Sequence, residues 1–319
     1  MQGNVRAAGG QIAPVLRGIS APAGNTFTPV VGDAFRVVTT ANAAGVSTTG
    51  ALSAVADPTA ANGMPANTRF DVIYGSNFID LVLTPNRLEE FAKQYGIQNM
   101  VNAARAFDGI RPAQGSRGTS DTQKFFNGLY GQSADALARS VLQSSGEIHA
   151  FSLFEARHGW QAATRAVSLV AGVKAERNLW IDVSGDNLRR KQDAYASAYS
   201  SNAPSLWIGS HLYERKDLQL GVAGGASTRR VHSAQSGSAN VDSQALALYA
   251  IGRDGIFDYS AVFSLNASTI GTTRETFLST GTQSNASDST AQGQVLSLTA
   301  GMKHGLSDNI NGIRPANSS

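Results

Sequence analysis

Residues 257–266 alternate apolar and polar side chains in a way that permits little except a β-strand with two unlike faces. With Val262 as the one exception, polar residues fill the even positions, and the opposite face carries Phe257, Tyr259, Ala261, Phe263 and Leu265. Because successive side chains of a strand point to opposite faces, such a strand is wet on one side and apolar on the other. Similar alternation recurs from about residue 178 onward, which is the sequence signature of a transmembrane β-barrel.

The recurring pattern predicts strands at 178–190, 205–215, 217–231, 241–252, 255–268 and 292–303. The joins at 215–217 and 253–255 are tight, whereas those at 192–203, 232–240 and 269–291 are long and polar. Outer-membrane barrels alternate short periplasmic turns with longer outer loops in this way. The sequence therefore predicts a partial antiparallel transmembrane barrel of about six strands.

Composition narrows the class of protein. Only 15% of the 319 residues are charged, against roughly 25% in ordinary soluble domains. The chain has no cysteine, as suits a protein that crosses an oxidising compartment unfolded. The net charge is +3 without a basic stripe, so no nucleic-acid partner is expected. No apolar run approaches the ~18 residues of a membrane helix, and residues 1–6 lack the apolar segment of a secretory signal peptide.

The first 85 residues have the character of the end of a β-rich domain. A β-branched strand is predicted at 33–40. The runs at 69–74 and 78–84 flank a short Gly/Asn segment, which indicates a hairpin or a solenoid rung. Helical spacing follows over 86–112, with an interruption at Gly96.

Two helices are predicted over residues 120–172, after a polar linker that contains glycine. Ser120 or Asp121 is the expected N-cap of the first helix, and Ser133 that of the second. Apolar residues at three- and four-residue spacing predict that the second helix continues over 137–152. Its frequent Ala and Ser make it slim enough for a narrow enclosure.

The order of these segments resembles the C-terminal portion of autotransporters, the type V secreted proteins. The resemblance rests on the closing rungs of a passenger β-helix at 31–38, 69–77 and 79–82, a linker-helix signature at 129–133 and 145–150, and early barrel strands at 179–181 and 218–225. It covers nearly the whole chain, and the linker-helix signature is its most specific part.

The resemblance implies an architecture, mainly β. A right-handed parallel β-helix passenger would end within 1–85, a helical connector would occupy 86–119, plug helices 120–172 and the partial barrel 173–306, with a tail at 307–319 that does not look native. The implied location is the outer membrane, with an adhesin-like passenger on the cell surface. The implied partners are outer-membrane lipid, the β-barrel assembly machinery, periplasmic chaperones and the chain's own passenger.

The residues that the resemblance singles out act by position. The linker helix would contain Leu137, Val141, Leu142, Gly146, Glu147, Ile148 and His149. The cap of the passenger would contain Phe70, Val72, Ile79, Leu81 and Leu83. A wide barrel leaves an open lumen, which a slim helix would plug. A β-helix builds rung on rung, so its folding would propagate from a stable end.

Departures from the family pattern leave alternatives open. A family barrel has about twelve strands and closes with a strand that ends in an aromatic residue. Here about half that number is predicted, and residues 306–315 are polar and turn-like. The expectation is therefore a fragment of an autotransporter. The alternatives are a decayed gene product without a function of its own and, less favoured, a soluble β-solenoid binding module.

No enzyme activity, cofactor or metal site is expected. Ser47 misses the G-x-S-x-G spacing by one residue, and the five histidines lack H-E-x-x-H spacing. Asn127 and Asn178 stand apart, so self-cleavage through a pair of asparagines in the linker helix is not expected. The basic run at 189–191 indicates a solvated strand end, with a lipopolysaccharide contact as the alternative.

Overall fold

The computed structural model describes residues 4–16, 27–40, 48–170, 178–254, 257–278 and 281–302. Ser47 and the expected tail at 307–319 lie outside these residues. The N-terminal part consists of the short strands β1 (Val5–Ala8), β2 (Gln11–Ile12), β3 (Ala34–Thr39), β4 (Thr48–Ala51), β5 (Ala54–Val55), β6 (Thr68–Tyr74) and β7 (Phe78–Pro85). Strand β1 pairs in parallel with β4, and β2 with β5. The predicted hairpin is β6–β7, and β3 adds to its β7 edge.

Strand β7 lies between two apolar cores. One core contains the residues expected to cap a passenger, which are all buried: Phe70, Val72, Ile79, Leu81 and Leu83. On the opposite face of β7, Val82 belongs to a core shared with helices. A strand covered on both faces needs a nearly continuous apolar run rather than alternation, and β7 has one.

The helices of the described residues are α1 (Leu88–Lys93), α2 (Gln98–Ile110), α3 (Ser120–Tyr130), α4 (Ala134–Gln143), α5 (Glu147–Trp160) and α6 (Ala162–Val170). Helix α3 is capped by Thr119 rather than by Ser120 or Asp121, whereas Ser133 caps α4 as predicted. Among these helices, none combines the length and the apolar character needed to cross a membrane.

The expected linker helix is divided at Gly146, which corrects the prediction of one helix over 137–152. Gly146 has φ +75°, a left-handed conformation that a helix cannot continue through. Leu137, Val141 and Leu142 lie in α4, within the core that α4 shares with α1, α2 and α3. Ile148 lies in α5 and packs instead against the large sheet described next.

The C-terminal part is a six-stranded antiparallel meander in sequence order. Its strands are β8 (Leu179–Arg190), β9 (Tyr199–Arg215), β10 (Leu218–Ser233), β11 (Gly237–Asp254), β12 (Phe257–Leu278) and β13 (Gly281–Met302). Helices α5 and α6 lie against one face of the sheet, which we call the inner face. The opposite face is the outer face.

The strands extend further than the sequence predicted, and the expected alternation of long and short joins is wrong. Residues 232–240 and 269–291 are mostly strand, since Ser233 pairs with Gly237 and Leu278 with Gly281. Apart from a few buried residues such as Ala239 and Ile270, these extensions carry polar residues on both faces, so they show no apolar periodicity, although their backbones remain paired. Among the described residues of the predicted long joins, 192–203 includes most of a loop at 191–198, whereas 232–240 includes a turn of three residues at 234–236.

The outer face carries an apolar belt that crosses the strands obliquely. Its exposed members include Ile181, Val183, Leu206, Ile208, Leu220, Leu246, Leu248, Phe263, Leu265, Leu296 and Leu298. When direct partners are followed from strand to strand, Ile181 on β8 lies in the same row as Gln294 on β13. On β13, however, the apolar outward residues begin two positions later, at Leu296. A belt that shifts against the strand register is expected when strands tilt relative to a membrane, as they do in barrels.

Candidate functional site

The inner face and α5 enclose a buried network of charged and polar side chains. Glu155 of α5 is fully buried and accepts hydrogen bonds from Arg229 Nη1 at 2.7 Å, Ser201 Oγ at 2.9 Å and Tyr199 Oη at 3.0 Å. The side chain of Arg229 is 2% exposed, and its Nη2 donates to Asp186 Oδ2 at 3.2 Å. Arg229 faces inward because β10 alternates, which turns the adjacent Arg230 to the outer face.

The network extends to α6 through Asp186. His158 Nδ1 of α5 and Arg165 Nη1 of α6 each lie 3.8 Å from Asp186 Oδ2. The carboxylates of Glu155 and Asp186 are thus accompanied by Arg229 of β10 and Arg165 of α6. Buried charges cost several kcal/mol unless they are paired. The network therefore fixes where α5 lies on the sheet more sharply than apolar packing alone.

A second polar cluster ties the start of α5 to the loop at 191–198. Glu147, which is buried, accepts from Asn99 Nδ2 at 2.9 Å and from the amide and hydroxyl of Ser197. The first two amides of α2 donate to the carbonyl oxygens of Ala194 and Tyr195, at 2.9 and 3.1 Å. This cluster joins the loop to α2 and to α5, so it closes one end of the inner face.

Trp160 anchors the other end of α5. Its indole Nε1 donates to Ser268 Oγ at 2.9 Å, and its ring packs closely against Gly293 of β13. A Cβ atom at position 293 would come within 2.2 Å of this ring, so the contact requires glycine. In the first turn of α5, His149 Nδ1 lies 3.3 Å from Thr272 Oγ1. Helix α5 is therefore held along its length.

The hairpin β6–β7 is connected to the helices by a third cluster, away from the large sheet. Arg111 pairs with Asp71, and both side chains are almost fully buried. Arg111 Nε also donates to Tyr130 Oη at 3.1 Å, and Thr84 Oγ1 donates to Asp71 at 2.6 Å. Burial, and after it the charge of Asp71, raises the pKa of Tyr130 to about 12. The hairpin is thus joined rigidly to the end of α3.

Sequence reasoning placed Glu147, Ile148 and His149 in the linker helix, and the structure puts all three in α5: Ile148 and His149 contact the inner face, and Glu147 contacts the loop at 191–198. The sequence did not single out Glu155 or Arg229. Each is an ionisable residue on one of two segments that were predicted to meet, but alternation alone does not show which residues pair. Within the described ranges, no group of three His, Asp or Glu side chains is arranged to hold a metal ion.

What this arrangement can do is hold a helix against the inner face of a sheet whose outer face carries an apolar belt. Residues 179–312 match the model of the Autotransporter family, described as the autotransporter beta-domain. The match begins at the first residue of β8 and takes in every strand of the large sheet. No curated protein matches the chain significantly.

Proposed function

We propose, on the premise that residues 179–312 are an autotransporter translocator domain of the outer membrane, that α5 is the plug of this translocator. We also propose that the residues before α5 belong to a passenger displayed at the cell surface. The observation that carries the proposal is the attachment of α5 to the inner face by Glu155 and Arg229 at 2.7 Å. The passenger would be adhesin-like. The chain would need the β-barrel assembly machinery and periplasmic chaperones to reach the membrane.

The path of the chain supports this topology. Helix α5 begins beside the loop at 191–198, where α2 also lies, and Trp160 at its far end reaches β12 and β13. The chain then continues through α6 to the start of β8 at Leu179. It therefore passes along the inner face from the end occupied by α1–α4 toward the opposite end. We assign the end near α1–α4 to the cell surface and the opposite end to the periplasm.

The passenger proposal is supported by the short parallel strand pairs. Strands β1 and β2 each pair with a strand more than forty residues later, β4 and β5, in the same direction. Stacked parallel pairs separated by a long excursion are the arrangement from which a right-handed β-helix is built. The buried residues of the hairpin, Phe70 and Leu81 among them, would close the bottom of such a stack.

The absence of cysteine from the chain allows a direct test. Single substitutions Ala234→Cys, in the turn between β10 and β11, and Lys216→Cys, in the turn between β9 and β10, place one thiol at each end of the sheet; both positions are exposed. We would express the chain behind a secretory leader in a Gram-negative host and treat intact cells with a membrane-impermeant maleimide.

The proposal requires that position 234 is labelled on intact cells and that position 216 is labelled only after the outer membrane is permeabilised. The cysteine-free chain is the background control, and Tyr195→Cys, in the exposed loop at 191–198, should behave as position 234 does. Labelling of position 216 alone on intact cells would invert the topology. If the chain were recovered in a soluble fraction with both positions labelled equally, its assignment to the membrane would be wrong.

A further inference from the structure

The outer face has a segregated distribution of charge just beyond the apolar belt. On β8–β10 the charged or ionisable outward residues there are Arg189, Arg230 and His232, all exposed, and their neighbours such as Asn187 and Asn202 are uncharged. On β11–β13 the outward residues include the carboxylates Asp242, Glu275 and Asp288. Solubility alone does not require positive and negative charges to be separated, so the basic side calls for a physical explanation of its own.

The strand register brings the basic side chains together. Asn187, Asn202, Arg230 and Asn240 are direct partners across four consecutive strands. Two residues further along, Arg189 and His232 each lie opposite Ser200. Neighbouring strands are about 4.8 Å apart, so two strand spacings, about 10 Å, separate Arg189 from His232. Long side chains on this scale can reach one common ligand.

Neither exposed arginine of this patch is neutralised within the described residues. Arg190, next in sequence, faces the other way and pairs with Asp193 at 2.8 Å, whereas no ion pair within 4.0 Å involves Arg189 or Arg230 in the part of the chain that the structure describes. The patch thus offers guanidinium donors and asparagine amides, and the carboxylate of Asp242, which lies opposite Thr228, makes no ion pair within 4.0 Å with either arginine in the described structure. Arginine forks and amides are the groups that bind phosphate oxygens and sugar hydroxyls.

The position of the patch along the membrane normal indicates which class of ligand it meets. On β10 the outward positions from Leu218 to Ala226 are apolar or small, and Arg230 follows after Thr228. Twelve residues of strand rise about 40 Å along the strand, or about 30 Å along the membrane normal at a tilt near 40°, which is just beyond an apolar band of about 25 Å. Arg230 therefore lies where lipid head groups begin.

We infer that the surface formed by Asn187, Arg189, Asn202, Arg230, His232 and Asn240 is a binding site for the phosphorylated sugar head group of an outer-leaflet glycolipid. This inference rests on the proposed function, since it needs the α1–α4 end to face the cell surface. Its occupant is a membrane lipid, not a soluble anion, because the apolar belt begins four residues from Asn187 and Asn202, at Val183 and Leu206, where acyl chains would lie.

The test is a titration of the purified full chain in dodecyl maltoside with bisphosphorylated lipid A, read by native mass spectrometry. We expect Arg189→Gln/Arg230→Gln to bind at least tenfold more weakly than the unsubstituted chain, and Arg230→Lys, which keeps the charge, to stay within about threefold. The matched control is Arg215→Gln/Lys216→Gln, which removes two exposed positive charges at the opposite end of the sheet and should bind as the unsubstituted chain does.

Equal weakening by both double variants would show that only net charge matters and would overturn the site. Binding of dephosphorylated lipid A as tight as that of the bisphosphorylated form would also overturn it. If inorganic phosphate competes as well as the lipid does, mole for mole, the occupant is a soluble anion and the lipid assignment is wrong. Cysteine labelling reads the topology separately, so a failed titration with correct labelling refutes the lipid site alone.

Discussion

Removing either partner of the Glu155–Arg229 pair should strongly destabilise the attachment of α5, and by different amounts. The pair is 2.7 Å long with both side chains almost fully buried, and breaking such a pair costs about 3–5 kcal/mol because a buried charge is left behind. Glu155→Gln leaves Arg229 with Asp186 at 3.2 Å, so about 3 kcal/mol is expected. Arg229→Met leaves Glu155 with two hydroxyl donors and with His158 Nδ1 at 4.0 Å in place of an arginine, so about 5 kcal/mol is expected.

The double variant Glu155→Gln/Arg229→Met separates pairing from simple loss of contacts. It leaves no buried charge uncompensated at this point, so its cost should fall short of the sum of the single costs by about 2–3 kcal/mol. The assay is urea unfolding of the detergent-folded chain followed by tryptophan fluorescence, because Trp160, Trp180 and Trp207 all lie in α5 or the large sheet. Additive costs, or single costs below about 1 kcal/mol, would refute the reasoning.

Three further outcomes are expected. Gly146→Ala should lower the free energy of unfolding by about 1–2 kcal/mol, because Gly146 has φ +75° while the nearest atom to an added Cβ is 3.8 Å away; a urea titration measures it. Folding raises the pKa of Tyr130 from 10.0 to about 12. The neutral phenol therefore contributes about 3 kcal/mol to the free energy of unfolding, a contribution that is complete below pH 10 and is lost as the pH rises through 12. Tyr130→Phe should remove that part of the alkaline loss of stability in a pH series of unfolding curves. Leu248→Arg, on the exposed apolar belt, should cost about 2–4 kcal/mol in lipid, whereas Asn240→Arg on the same face should cost little in the same vesicle-folding assay.

The strands of the large sheet could be predicted from sequence only where one of their faces is apolar. The outer face of β12 is apolar at Phe263 and Leu265, but from Ser268 to Thr276 both faces are polar except for Ile270, which is buried on the inner face. Polar residues on both faces are also typical of loops, so 269–291 was predicted as a long join. The pairing of residues 269–278 with 281–290 depends on a backbone ladder between neighbouring strands, which residue periodicity does not report.

The division of the linker helix could have been predicted in part. Gly146 follows two serines, and glycine after a polar pair is a common end of a helix. The apolar spacing from Leu137 through Ile148 nevertheless continues across it, and that periodicity favoured one helix. Which core each half joins is a tertiary property, since Val141 and Ile148 are both fully buried and differ only in what covers them.

The two adjacent arginines Arg229 and Arg230 show how one strand serves both proposals. Alternation turns Arg229 to the inner face, where it is 2% exposed and pairs with a carboxylate of α5, and turns Arg230 to the outer face, where it is exposed. A shift of β10 by one residue would put either Thr228 or Arg230 in the place of Arg229, and it would turn the exposed apolar residues such as Leu220 to the inner face. The buried pair and the apolar outer face therefore fix the register of β10 together, and the register in turn sets the height at which Arg230 meets the membrane. If this coupling holds, Arg229→Met should weaken lipid A binding even though Arg229 cannot touch the lipid, and Arg230→Gln should leave the attachment of α5 unchanged.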